Sequence, residues 1–336
     1  MHMAFAAASS TGRITFLPFL LKQLMHCMSC TRLRAFPLKR WNRNCGQSKR
    51  ISVCFRHWRW WNKAASSPIE EIPMNRIDTA FQKKPIFMPY FPFGYPDLET
   101  SVNVIEALAK NGADLIEVGL SFSDPLADGP VIQHATQIAL EKGITVKKSL
   151  ESVKELRKRG VTIPLILMGY YNPMLAYGLE RFIHDSIEAG ADGFIVPDLP
   201  LEESDEFVGA THASPLQPPL IQMLAPTSPD ERMEAIARNA KGFIYLVSVT
   251  GITGERKSLA EGLGELIAQV REHTSAPVCV GFGIGTPEQA RQVGKMADGV
   301  IVGSACVKLI GGSPKPVETA KQFAAEFRSA LSKLRN

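Results

Sequence analysis

Several kinds of residue are scarce in this 336-residue chain, and each scarcity removes a class of function. There are six cysteines, four of them (Cys27, Cys30, Cys45 and Cys54) before residue 74, so the rest of the chain is no disulfide scaffold. Cys279 and Cys306 sit in apolar surroundings and read as small buried hydrophobes in a reducing compartment. Seven histidines form no ligand cluster, and His134, His184 and His273 read as solvated helix residues, so no metal site is indicated. The apolar run at 14–21 is eight residues long, where crossing a bilayer takes about 20. Acids are missing from the first 69 residues, and all four tryptophans precede residue 74.

These absences divide the chain in two. Residues 1–73 hold 12 Lys/Arg against Glu70 and Glu71, which leaves 26 basic and 31 acidic residues for 74–336. The formal net charge of +5 therefore hides a mildly acidic body with no nucleic-acid footprint. Several readings of 1–73 compete. The segment fits a targeting peptide, which would make the compartment a plastid rather than the cytoplasm. It also offers Cys27-x-x-Cys30 with Cys45 and Cys54 for zinc, though the second pair is badly spaced. Its basic and aromatic residues suit contact with nucleic acid or a membrane surface. The plain alternative, a disordered or artefactual extension ahead of a start at Met74, is preferred because no amphipathic period runs through it.

From about residue 86 the chain alternates short apolar runs with longer amphipathic ones. The apolar runs fall at 86–91, 115–120, 165–170, 193–198, 220–225, 243–249, 278–283 and 300–304. They are nearly continuous rather than alternating, as expected of parallel strands covered on both faces. Helical stretches are expected around 98–110, 131–141, 147–159, 178–189, 201–210, 228–239, 258–272, 286–296 and 315–334. A weak repeat, Gly112-Ala-Asp114, Gly190-Ala-Asp192 and Met296-Ala-Asp298, marks a helix end, a tight turn and a strand start. Eight such units predict a (β/α)₈ TIM barrel over residues 74–336. A doubly wound open sheet is the alternative, but no Gly-x-Gly-x-x-Gly opens the first unit.

In such a barrel the chemistry sits at the C-terminal ends of the strands, with phosphate in the loops after strands seven and eight. Those loops read Gly281-Phe-Gly-Ile-Gly-Thr286 and Gly303-Ser304, and each leads into or toward a helix. A third glycine-rich loop, Thr250-Gly-Ile-Thr-Gly-Glu255, is long enough to act as a lid. Three such loops point to phosphate rather than to tight turns alone. Glu117 is a lone carboxylate in an apolar run near the end of strand two, with no basic residue between Lys110 and Lys142. Burial should raise its pKa and suit it to proton transfer near neutrality. Asp128 follows on a Pro/Gly-rich loop, either as a second functional carboxylate or as a cap for the helix near Pro130. Asp198 is either catalytic or a turn residue, and Ser304, with no evident histidine partner, reads as a phosphate contact rather than a nucleophile.

Several segments then carry a family resemblance. Phe87-Met-Pro-Tyr-Phe-Pro-Phe-Gly-Tyr-Pro-Asp97, the segment Glu117 to Pro130, Tyr170-Tyr-Asn-Pro173, Val196-Pro-Asp-Leu-Pro200, Tyr245 with Ser248-Val-Thr-Gly-Ile-Thr-Gly254, Gly281-Phe-Gly283 and Gly303-Ser304 resemble the tryptophan synthase α subunit family. The resemblance covers roughly 74–336 and leaves 1–73 outside. It implies retro-aldol cleavage of indole-3-glycerol phosphate to indole and glyceraldehyde 3-phosphate. It makes Glu117 the general acid/base, Asp128 the carboxylate that stabilises charge at the indole N–H, and Tyr245 a substrate-orienting residue. Tyr90, Ile132 and Tyr170 would line the indole pocket, and Thr253 would sit on the lid. Gly254, Gly281, Phe282, Gly283, Gly303 and Ser304 match the phosphate site. The family implies an α₂β₂ complex in which pyridoxal phosphate belongs to the β subunit, with no cofactor in this one. Loops 121–128 and 248–257 would carry the β contact. One departure is Ser121, where the family usually has proline, and it bears on α–β signalling. A non-catalytic regulatory subunit and a stand-alone lyase are the alternatives.

Overall fold

The computed structural model describes residues 75–212, 218–247, 258–281 and 283–335. The extension 1–73 and the glycine-rich lid at 250–255 lie outside the described residues. Eight parallel strands close on themselves in sequence order, β1 to β8, with β8 pairing back to β1. They are β1 Ile86–Pro92, β2 Ile116–Gly119, β3 Leu165–Met168, β4 Gly193–Ile195, β5 Leu220–Leu224, β6 Ile244–Val247, β7 Val278–Gly281 and β8 Gly299–Val302. The TIM barrel expected from the eight apolar runs is the fold. Most runs end earlier than their composition suggests. The run at 193–198 becomes a three-residue strand, because Pro197 cannot donate to a ladder and the chain turns away.

The helices are α1 Arg76–Ala80, α2 Leu98–Asn111, α3 Pro130–Glu141, α4 Val146–Lys158, α5 Tyr171–Tyr177, α6 Leu179–Ala189, α7 Asp205–His212 and α8 Asp230–Asn239. They continue with α9 Ser258–His273, α10 Pro287–Gly294, α11 Ser304–Gly311 and α12 Pro316–Ser332. Helix starts follow their local chemistry: Asp97 and Thr145 accept the N3 amides of α2 and α4, and Thr286 with Gln289 forms a capping box on α10. Three helices carry no clear amphipathic signal in the sequence. α1, α5 and α11 are five to eight residues long, too short to show a full period.

Two apolar layers result from strand alternation. Ile86 and Met88 of β1, Ile166, Ile195, Ile221, Cys279 and Ile301 fill the barrel interior. Phe87 and Phe91 point the other way, into the layer beneath the helices, where Phe87 stacks on Phe327 of α12 at 5.1 Å. α1 closes the N-terminal end of the barrel: Ile77 and Phe81 are buried in the interior cluster, and Phe81 lies 5.7 Å from Phe243. Both described cysteines are free and buried, as their surroundings suggested. Among the described residues no helix is long and apolar enough to cross a membrane.

The Ala-Asp repeat has a definite structural job at the same end. Asp114, Asp192 and Asp298 each precede a strand and accept a backbone N–H from the first or second residue of the strand before it. The donors are Phe87 (2.8 Å), Leu165 (2.8 Å) and Val278 (2.9 Å). Each aspartate also binds two cations: Arg328 and Arg335, Arg76 and Arg157, Lys84 and Arg271. The repeat thus stitches neighbouring strands together from below.

Candidate active site

At the opposite end the mouth of the barrel opens on a cavity of about 380 Å³. Glu117 reaches it from β2, directly across the ladder from Tyr90 of β1. The local sequence explains this placement. Glu117 alternates with Ile116 and Val118, both of which pack outward, so its side chain has only the interior to enter. It is 1% exposed, and its Oε1 has no hydrogen-bond partner. No ion pair to Glu117 forms among the described residues. Burial alone pushes its pKa up to about 8.

Asp128 enters from the loop between β2 and α3. It does not cap α3: Gly129 occupies the N-cap position, and no side chain bonds to the helix start. Burial raises its pKa to about 6, against the opposing pull of a hydrogen bond from the Tyr170 hydroxyl. The same hydroxyl accepts the Ala127 amide at 3.0 Å, and the Tyr170 ring lies 5.6 Å from Phe122. Tyr170 therefore holds the loop that presents Asp128. Further along, Leu126 is 92% exposed at the loop's outer side, and Ser121 buries a hydroxyl that has no partner.

Two tyrosines complete the polar wall. Tyr90 and Tyr245 are both buried, and burial together with the charges of Glu117 and Asp128 drives their pKa values well above the ordinary tyrosine range. They remain neutral hydrogen-bond donors at any physiological pH. Each fits only because a glycine faces it. A Cβ on Gly119 would lie 2.2 Å from the Tyr90 hydroxyl, and one on Gly281 would lie 2.5 Å from that of Tyr245.

The far side of the cavity is lined by Gly283, Gly285, Gly303, Ser304 and Ala305. The two helix starts nearby differ. Gln289 accepts the Gly285 and Thr286 amides while Thr286 accepts that of Gln289, so the N-terminus of α10 is closed by its own capping box. The N-terminus of α11 at Gly303 has no side-chain cap. Its first amides are the unclaimed donors beside the cavity, and the helix dipole there favours an anion.

Comparison with known proteins agrees with this geometry. Residues 78–335 match the family described as tryptophan synthase alpha chain. A tryptophan synthase alpha chain from Chloroflexus aurantiacus is 46% identical over 264 residues, covering 77% of this chain and 98% of that one. The chain belongs to the tryptophan synthase alpha chain family. Among solved structures, the alpha subunit from Legionella pneumophila superposes with a TM-score of 0.70 at 36% identity, over 77% of this chain and 99% of that one. A chain of tryptophan synthase from M. tuberculosis superposes with a TM-score of 0.68 at 32% identity, over 77% of this chain and all of that one.

Of the residues that the family resemblance singles out, Tyr90, Glu117, Asp128, Ile132, Tyr245, Gly283, Gly303 and Ser304 line one cavity. Tyr170 and Gly281 stand behind it, the first bracing Asp128 and the second giving room to Tyr245. Thr253, Gly254 and Phe282 lie outside the described residues. Asp198 is a turn residue: its Oδ1 accepts the Tyr171 amide at 2.9 Å and fixes the start of α5. The cavity also takes in Met168, Ile284 and Ile301, which sequence reading passed over. Met168 and Ile301 share the inward face with Ile166 and Gly299, so strand alternation carried the signal for both. His134, His184 and His273 are solvent-exposed, and no metal-binding cluster occurs among the described residues.

Proposed function

We propose that this site cleaves indole-3-glycerol phosphate to indole and glyceraldehyde 3-phosphate, the reaction of an alpha chain in tryptophan biosynthesis. The observation that carries this reading is Glu117, a fully buried carboxyl with an unpaired oxygen, protonated near neutrality and facing a cavity that holds a second carboxylate. With a pKa of about 8 it is an acid at pH 7, while Asp128, at about 6, is mostly a carboxylate. Environments that separate two carboxyls in this way divide acid and base roles.

The steps follow from that division. Glu117 donates its proton to the indole ring carbon that bears the glycerol phosphate chain, and positive charge spreads to the ring nitrogen. Asp128 accepts a hydrogen bond from that N–H and lowers the energy of the cation. The Glu117 carboxylate then removes the proton of the adjacent side-chain hydroxyl. The O–H electrons become the aldehyde C=O, the carbon–carbon bond breaks toward the ring, and the ring nitrogen recovers its electron pair. Glu117 ends protonated, as it began. Tyr90 and Tyr245 orient the substrate as neutral donors, Ile132 and Met168 pack on the ring, and the open N-terminus of α11 with Gly283 and Ser304 receives the phosphate. Thr253, Gly254 and Phe282 belong to the same assignment as lid and phosphate residues.

A β partner that uses indole is part of the reading, as an α₂β₂ complex with pyridoxal phosphate held by β. The exposed Leu126 on loop 121–128 is the kind of apolar contact such a partner covers. The cleavage itself uses only side chains of this chain. The residues are assigned to one domain, 74–336, with 1–73 outside it. Measuring indole release with Glu117→Gln tests the chemistry: turnover at the wild-type rate would overturn it. Adding a β subunit separates the complex from a stand-alone lyase, since little stimulation would favour the latter.

A further inference from the structure

A second cavity, of about 230 Å³, lies where the loop after β4 meets β5 and α8. Gln222 gives it chemical meaning. Ile221 and Met223 pack against the barrel interior, so Gln222 between them faces outward, away from the active-site cavity. The residue is 7% exposed, yet its side-chain amide makes no hydrogen bond, and it lines this cavity. The amide is not sealed in packed side chains: its donor and acceptor open on the cavity, where a ligand can replace water as their partner. Pro197, Leu199, Pro200 and Ile236 supply apolar side chains to the wall. The two charged groups at the rim are already engaged: Arg232 pairs with Glu202 at 2.9 Å, and Asp198 accepts the Tyr171 amide.

We propose that this cavity binds a small, planar, non-anionic molecule carrying a carboxamide or an equivalent adjacent donor–acceptor pair, with Gln222 as the recognising group. Such a ligand satisfies both ends of the Gln222 amide at once and stacks between the proline and leucine walls. Arg232 is matched by Glu202 and Asp198 has no ion pair among the described residues, so the rim offers an anionic ligand no free counter-charge. The volume is below the roughly 300 Å³ at which drug-sized pockets begin, which limits the ligand to about one ring.

The test uses the full chain and benzamide as probe, with affinity followed by ligand-observed NMR. Saturable binding is expected, weakened about ten-fold by Gln222→Leu, the loss anticipated for one amide pair. Gln222→Met serves as a second variant of matched length should the leucine protein not fold. Binding should be unchanged in Glu117→Gln, because the barrel-mouth cavity lies on the other face of the sheet. Absence of saturable binding, equal affinity in the Gln222 variants, or loss of binding in Glu117→Gln would each overturn the proposal.

Discussion

At the N-terminal end of the barrel, Asp114, Asp192 and Asp298 each accept a backbone amide and bind two cations. At the C-terminal end, among the described residues, Glu117 has no cation and its Oε1 has no hydrogen-bond partner. Both ends are shielded from water, so burial by itself does not decide what a carboxylate becomes. Partners decide it. At Asp298 burial raises the pKa, but the Val278 amide, Lys84 and Arg271 outweigh it and hold the group below the usual carboxylate range. At Glu117 nothing opposes burial, and the group is an acid up to about pH 8. One end uses its carboxylates to tie strands together, and the other leaves an oxygen of Glu117 unpaired beside a cavity.

The strongest way to break this contrast is Glu117→Gln, which should lower kcat by about 10² to 10⁴-fold, the usual range for a lost general acid–base group. Its stability should move the other way. A carboxyl whose folded pKa is raised from 4.5 to about 8 destabilises the fold increasingly as pH rises between those values. The glutamine variant should therefore melt higher than wild type at pH 8 and about equally below pH 4. Thermal melts at the two pH values check this.

Asp192→Ala at the other end should do the reverse. It leaves the largely buried Arg157 with carbonyl partners but no counter-charge and removes the anchor of Leu165, so a loss of about 3 kcal/mol in denaturant unfolding is expected. The kcat of the folded fraction should be unchanged.

The pH profile of kcat/KM sharpens the comparison further. It should be bell-shaped, falling below about pH 6 as Asp128 takes up a proton and above about pH 8 as Glu117 loses one. Asp128→Asn should remove the acid limb. The smallest effect is expected for Lys84→Ala. Lys84 is partly exposed and Asp298 keeps Arg271 and the Val278 amide, so a loss of no more than about 1 kcal/mol should appear in the same unfolding measurement.

Both ends were written in the sequence, but not equally legibly. Glu117 stood out because a single acid in an apolar run has few structural explanations. The Ala-Asp repeat was visible as a pattern, while its purpose was hidden: the amide and the cations it binds come from residues as distant as Arg328. Asp128 was ambiguous between cap and function, and the choice depended on Gly129 taking the N-cap and Tyr170 holding the loop. Gly281 was singled out for the phosphate loop, and the structure adds a second demand on it, room for Tyr245, which a glycine's local sequence does not reveal. Gln222 gave no signal, because an unpaired amide is defined only by its neighbours.

The order of eight apolar runs and their spacing determined the barrel, for a physical reason that is local: each run can be buried only as a strand covered on both faces. The same alternation determined that Glu117 faces inward. What the tertiary structure alone decided was which polar groups would be satisfied. Hydrogen-bond and ion-pair partners are brought together by closure of the barrel, across tens to hundreds of residues, and those partners separate an aspartate that ties strands together from a glutamate left open to the cavity.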